Sequence, residues 1–393
     1  MGAAHGWIVS PLLSEARESM KLAPPRVAAA VVLLLLILRL PESLFRAEFY
    51  ADDGVMYGAA LADGIETILE PYASYLIVGQ RLIVLLETLV PPAFAPLLGG
   101  VVALIVLAGA AAFASSARMP WGRRTGWLVA IGVALLPASY PIVGNLAHVI
   151  WPVMLAMVFT AISRAPRWPV LESGGLLMAG LTGPGALLLW PLFLSGPRRR
   201  LALVGLAAAI QGAVILSQNG VPPAGLDPAA LPVIVLMRGV VTPLLGPSIT
   251  AALGPALIVI LGVPLLVCLL RLVWTSPLRW QIGYTMAAIP AAGLLMSDAS
   301  ASWYVHVEQF ARYFWILSAM LVVLIVMGRR RIAAWPLAAA LLVGMASEAR
   351  MSPWDDMQWS ERSACIGGPV ACEVPIAPGQ GWAVSWDPAE RER

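Results

Sequence analysis

Long apolar runs separated by short, arginine-bearing polar segments make up most of the chain, and within a run the residues do not alternate. A continuous run of this kind satisfies its own backbone only as a helix, whereas a membrane barrel would show a period of two. The runs predict membrane-crossing helices over about 26–41, 93–116, 125–141, 149–163, 201–216, 249–273, 280–297, 310–328 and 332–347. The apolar segment 171–200 is flanked by Arg167 and by Arg198, Arg199 and Arg200, and a single crossing would put these on opposite faces. Two short helices broken at Thr182-Gly183-Pro184-Gly185 keep them together, which brings the expectation to eleven crossings. Residues 72–90 carry Gln80, Arg81 and Glu87 and end at Pro91-Pro92. They predict a helix lying along the interface, which leaves Arg118, Arg123 and Arg124 inside.

The same rule sets the N-terminus inside and the C-terminus outside. Residues 1–347 then form one polytopic domain with an outer loop over 42–92, and 348–393 form an extracytoplasmic tail. Residues 217–247, with Asn219, Asp227 and Arg238, read as a second outer loop. Arg39 is expected to snorkel from the outer end of the first span. No internal repeat stands out, which argues mildly against a repeat-built transporter.

Composition agrees with the pattern. The chain is 60% hydrophobic and 12% charged, about half the charge of an ordinary soluble domain. Its formal net charge is +3, and Lys21 is the only lysine. Arginines grouped between apolar runs are topology signals. With no basic tract interleaved with aromatics, nucleic acid is not an expected partner; the lipid bilayer is. Cys268 lies within an apolar run, whereas Cys365 and Cys372 lie in the tail, where an oxidising face would let them pair. The tail's alternating Val, Ile and Trp, set between Pro and Gly turns, predict a small β-like cap.

Against this background the segment 46–81 is exceptional. It holds Glu48, Asp52, Asp53, Asp63, Glu66 and Glu70, with Glu42 just upstream. Asp52 and Asp53 suit a general base, or oxygen ligation of Mg²⁺ or Mn²⁺ beside a phosphate, or a solvated helix start. Tyr72, Tyr75 and Arg81 follow; the arginine could hold a phosphate or snorkel. Asn145, His148 and Trp151 stand at three-residue spacing where a helix begins on the outer side, a set that suits a sugar face or simple interface anchoring. His306, Glu308, Arg312 and Tyr313 form a second polar cluster on the same side. A guanidinium just inside a span needs a partner, either Glu308 or a bound phosphate. No nucleotide loop, zincin helix or nucleophile elbow is present.

With these residues in view the chain resembles the integral-membrane glycosyltransferases of the GT-C fold. In that superfamily the first span leads into an outer loop with an acidic motif and helices lying along the membrane. Asp52-Asp53-Gly54-Val55-Met56-Tyr57 is similar to the acidic element of protein O-mannosyltransferases and aminoarabinose transferases. Gly180-Leu181-Thr182-Gly183-Pro184 is similar to a turn in the same families, without its lysine. Glu70 to Leu76 with Arg81, the 145–151 set and the tail resemble a group of bacterial multi-spanning proteins with GT-C-like sequences. The resemblance implies an all-α fold in the bacterial cytoplasmic membrane and a polyprenyl-phosphate-linked sugar as donor. It implies transfer to an envelope glycan or lipid acceptor on the extracytoplasmic face. Asp52 or Asp53 would be the base, with Arg312, alone or together with Arg81 or Arg238, on the leaving phosphate. The competing expectations are a flippase for lipid-linked glycans and a non-catalytic partner in envelope assembly.

Overall fold

The computed structural model describes residues 24–140, 142–164, 168–218, 229–296, 311–379 and 381–389. The fold is mostly helical, and among the described residues four helices have the length and apolarity to cross a membrane: Pro92–Phe113, Arg198–Ser217, Leu231–Ala252 and Pro255–Thr275.

The chain enters through α1 (Pro25–Arg39), whose first residue is the proline that a helix start tolerates best. Two short helices follow, α2 (Asp52–Asp63) and α3 (Val78–Glu87). At 10 residues α3 rises about 15 Å, half the thickness of a hydrocarbon core. It buries Val78, Gln80, Arg81, Val84 and Glu87, so one face packs inward along its length. After it come α4 (Ala95–Phe113), α5 (Arg123–Ala134), α6 (Ile150–Ile162) and α7 (Pro169–Leu181). The break expected at 182–185 is present: α7 stops at Leu181 and a short α8 (Gly185–Leu189) turns back toward α9 (Arg198–Ser217).

Several arginine-bearing helix ends meet one another. Glu172 on α7 bonds Arg118 after α4 and Arg200 at the start of α9, and Arg200 also donates to the carbonyls of Thr160, Ser163 and Arg164. Arg329 reaches Thr125 at the start of α5.

Two expectations are corrected. Residues 231–252 are not loop but a helical run, α10 (Leu231–Ala252), so the span expected at 249–273 is instead α11 (Pro255–Thr275). Pro232 and Pro243 punctuate the sequence like a loop, but Pro232 sits in the first turn, where no N–H is needed. A π-helical stretch, Met237–Val241, and a kink at Gly246 (φ 84°) absorb the rest. Arg238 lies in the π stretch and is buried. Arg39 does not snorkel: it is 3% exposed and donates to the carbonyls of Ala134, Leu136 and Glu348. One guanidinium thereby satisfies orphan carbonyls after α5 and at the end of the last long helix.

That last helix is α14 (Ala334–Ser347), preceded by α12 (Arg279–Met296) and α13 (Trp315–Met327). Every residue of α13 from Trp315 to Ile325 is buried, so it is the central helix of the bundle. In contrast, α11 turns Leu257, Val259, Ile260, Leu261, Val263, Val267, Leu270 and Trp274 outward, as a lipid-facing helix does.

The tail is not a separate body. Its hairpin, β1 (Cys372–Pro375) against antiparallel β2 (Ala383–Trp386), lies on the start of α2. The Ala51 N–H donates to the Ala377 carbonyl at 2.6 Å and the Ala377 N–H to the Phe49 carbonyl at 3.1 Å. Glu48 accepts the Trp359 N–H. Phe49, Tyr57, Trp359, Val374, Ile376, Val384 and Trp386 share one apolar cluster. The close approach demands Gly54, since a Cβ there would stand 2.3 Å from Ile376 Cδ1.

Cys365 and Cys372 form a disulfide in this cap. Changing both to serine is expected to cost the cap about 2.5 kcal/mol, the loop-closure entropy for a bridge this short. The check is hydrogen exchange over 372–386 in the full chain; unchanged protection would show that packing on α2 alone holds the cap.

Candidate functional site

The start of α2, the segment from Tyr72 into α3, the start of α6 and the run into α13 enclose a cavity of about 380 Å³. Its walls carry Asp52, Tyr72, Tyr75, His148, Trp151, Arg312 and Tyr313. These residues come from four separate stretches of the chain. His306 and Glu308 lie outside the described residues.

The backbone around Asp52 is held in unusual conformations. Ala51 has φ 44° and ψ −111°, outside the regions an alanine normally occupies, and the two hydrogen bonds to and from Ala377 hold the strand beside it. Tyr72 to Tyr75 form a two-residue hairpin with both reciprocal backbone bonds made, and Ala73 and Ser74 have φ of 48° and 70°. This is the type I′ geometry that normally recruits Asn-Gly. It sets Tyr72 and Tyr75 side by side on the cavity wall.

Beneath the hairpin lies the broken-helix turn. Ile77 bridges Thr182, and the fully buried Gln211 side chain exchanges hydrogen bonds with both backbone groups of Leu76 while donating to the Gly183 carbonyl. Gly183 (φ 135°) approaches Ile150 so closely that a Cβ would stand 2.1 Å from Ile150 Cδ1. The 180–184 turn is therefore a floor under Tyr75, and Gln211, which sequence reasoning passed over as one polar residue in a span, is its fastener.

The two adjacent acids have different surroundings. Asp52 faces the cavity and accepts a short hydrogen bond from the Tyr72 hydroxyl. Asp53 is 5% exposed, turned away, and accepts the backbone N–H groups of Leu146 (3.1 Å) and Ala147 (2.5 Å). Its carboxyl thus fixes the segment that carries His148. A divalent ion shared by both acids does not fit this arrangement, because both Asp53 oxygens are already engaged by backbone donors. No group of three metal-ligating side chains occurs among the described residues.

Across the cavity, Arg312 lies 3.3 Å from His148 Nε2 and stacks its guanidinium over the Tyr313 ring at 5.3 Å. Trp151 meets Tyr313 edge-on. Among the described residues Asp52 and Arg312 share the cavity without closing an ion pair. Two expected contacts are placed elsewhere. Arg81 is 3% exposed, pairs with Glu70 at 3.3 Å and sits behind the Tyr72 ring. Asn145 is buried and caps the His148 N–H. Both position cavity residues rather than line the cavity.

Burial also sets the protonation of this corner. It pushes the Asp53 carboxyl up to about 7, with the neighbouring Asp52 charge adding to the rise and the Ala147 and Leu146 N–H groups opposing it. Burial raises Glu48 to about 7 as well, and Tyr75 to about 12. Glu87, fully buried against Gly99, is pushed well above the usual carboxylate range by burial and by Asp53.

Because Asp53 and Glu48 bind protons more tightly when folded than unfolded, their contribution favours the fold at acid pH and is lost as pH rises through about 7. Thermal unfolding of the purified full chain should therefore show stability falling between about pH 4 and pH 7, with Asp53→Asn and Glu48→Gln each flattening the slope. A stability that rises across that window would contradict the assignment.

No protein-family model, curated protein or solved structure matches the chain. The geometry above therefore carries the functional argument.

Proposed function

We propose that the chain is a membrane glycosyltransferase of the GT-C type in a bacterial cytoplasmic membrane, with eleven crossings, α10 entering and leaving on the outer face, N-terminus inside and C-terminus outside. It moves a sugar from a polyprenyl phosphate to a glycan or lipid acceptor on the extracytoplasmic face. The observation that carries this reading is the single cavity that sets the Asp52 carboxylate against Arg312 and His148 at the end of the bundle opposite the arginine clusters.

Each group has a task in that reaction. Asp52, held by Tyr72, takes the proton from the acceptor hydroxyl as its oxygen attacks the anomeric carbon. The bond from that carbon to the phosphate oxygen breaks, and the phosphate leaves with the bonding pair. Arg312 stabilises the negative charge on the leaving phosphate, where a planar guanidinium offers two parallel donors. Attack from the side opposite the phosphate inverts the anomeric centre. Trp151 and the tyrosines offer aromatic faces and hydroxyls to the sugar.

The test is transfer by the purified full chain, supplied with radiolabelled polyprenyl-phosphate sugars and envelope glycan acceptors. Label appearing in the acceptor with inverted configuration supports the reading. Label crossing the bilayer of a proteoliposome without transfer would replace it with the flippase.

A further inference from the structure

A second cavity, of about 540 Å³, lies on the other side of the Tyr50–Asp52 bend. Tyr50 lines this cavity and Asp52 the first; Ala311 lines this one and Arg312 the first. Residues one or two positions apart in the chain thus line different cavities, so the two spaces adjoin.

The chemistry of the two walls differs. The first cavity holds an arginine and a histidine. Among the described residues the second has no cationic side chain and a single carboxylate, Glu348. Its remaining polar groups are hydroxyls: Tyr50, Tyr140, Thr242, Ser248 and Ser352. The Glu348 side chain is anchored, one oxygen accepting the Ser248 N–H at 2.9 Å and its backbone carbonyl accepting from Arg39. Thr242 is 3% exposed, and its hydroxyl has no hydrogen-bond partner among the described residues. It sits where the π stretch ends, so the usual bond back along the helix is not made. A buried hydroxyl left unpaired in a cavity wall costs stability unless a ligand or water completes it.

From this we propose that the second cavity binds a neutral, polyhydroxylated ligand, a glycan chain, and rejects anionic ones. Aromatic rings take the faces of sugar rings, hydroxyls and one fixed carboxylate take their hydroxyl protons, and the carboxylate repels acids. The assignment rests on the proposed transfer reaction only for its consequence: bound here, a glycan would present a hydroxyl toward Asp52 from the side away from the phosphate-binding wall.

The experiment uses the full chain in nanodiscs and two probes, neutral maltotriose and the acidic trigalacturonate, followed by fluorescence of Trp354, whose ring lies 5.1 Å from that of Tyr50. Maltotriose is expected to bind saturably and trigalacturonate at least about tenfold more weakly. Ala251→Trp, which fills the cavity, should abolish maltotriose binding. Glu348→Gln should remove most of the discrimination against the acidic probe while the protein stays folded, an effect that a merely structural role for Glu348 would not produce. Binding of polyprenyl phosphate, measured in the same nanodiscs, should be unchanged by Ala251→Trp. Absence of saturable maltotriose binding, or binding that survives Ala251→Trp, overturns the assignment. Maltotriose binding lost in Ala251→Trp in a protein that shows no transfer upholds the glycan site and sinks the transferase reading alone.

Discussion

Asp52→Asn is expected to lower the rate of sugar transfer by about two to four orders of magnitude, the usual contribution of a general base. The amide can still accept the Tyr72 hydroxyl, so the cavity keeps its shape and polyprenyl-phosphate binding is retained while the proton has nowhere to go. Asp53→Asn should behave differently. An amide presents one oxygen to two backbone N–H groups, leaving an NH₂ facing a donor, which costs about 1–3 kcal/mol of stability. Its transfer rate, corrected for folded fraction, should fall much less than that of Asp52→Asn. Measuring single-turnover transfer and thermal stability on both variants separates the roles. If Asp53→Asn is folded and inert while Asp52→Asn transfers normally, the assignment of base reverses.

Arg312→Gln is expected to lower transfer by about 10²- to 10³-fold, the cost of removing one preorganised group from a developing negative charge. Arg312→Lys should fall between the two, since it keeps the charge but loses the paired donors and the flat stack on Tyr313. The diagnostic is the leaving group. If Arg312 acts on the phosphate, donors with more acidic phosphate leaving groups should lose less rate in Arg312→Gln, whereas donors altered only in the sugar should lose the full factor. A uniform loss across both series would make Arg312 a structural partner of His148 and nothing more.

Much of this arrangement was legible in the chain, for identifiable reasons. Arginine clusters are costly on the wrong face, so Arg118, Arg198–Arg200 and Arg329–Arg331 marked the ends of helices even where the apolar runs were ambiguous. The same logic found the break at 182–185. Asp52, Tyr72, Tyr75, His148, Trp151, Arg312 and Tyr313 were all picked out as polar residues beside apolar ones, and one cavity collects them. What could not be read depends on side-chain direction. Asp52 and Asp53 are neighbours with identical chemistry, and what distinguishes them is the Tyr72 hydroxyl on one and the N–H groups of Leu146 and Ala147, some ninety residues away, on the other. Arg81 and Asn145 carry the right groups but face the supporting layer. The run 231–252 was misread because proline and glycine signal a loop in water, whereas a packed membrane helix tolerates them when a π turn or kink redistributes the hydrogen bonds. His306 and Glu308 lie outside the described residues and stay expectations.

The contact between the cap and the Tyr50–Ala51 strand also governs the order of biogenesis. Glu48 holds the N–H of a residue made 311 positions later, so the bend that aims Asp52 cannot be fixed while the helices are still being inserted. All of them, and the segment after α14, must be made before the two cysteines pair and the cap settles. A chain halted after Ser347 would be fully inserted yet lack the strand that holds its own carboxylate in place. The backbone that aims Asp52 is thus completed only at the end of synthesis, when the last residues to be made close on some of the first.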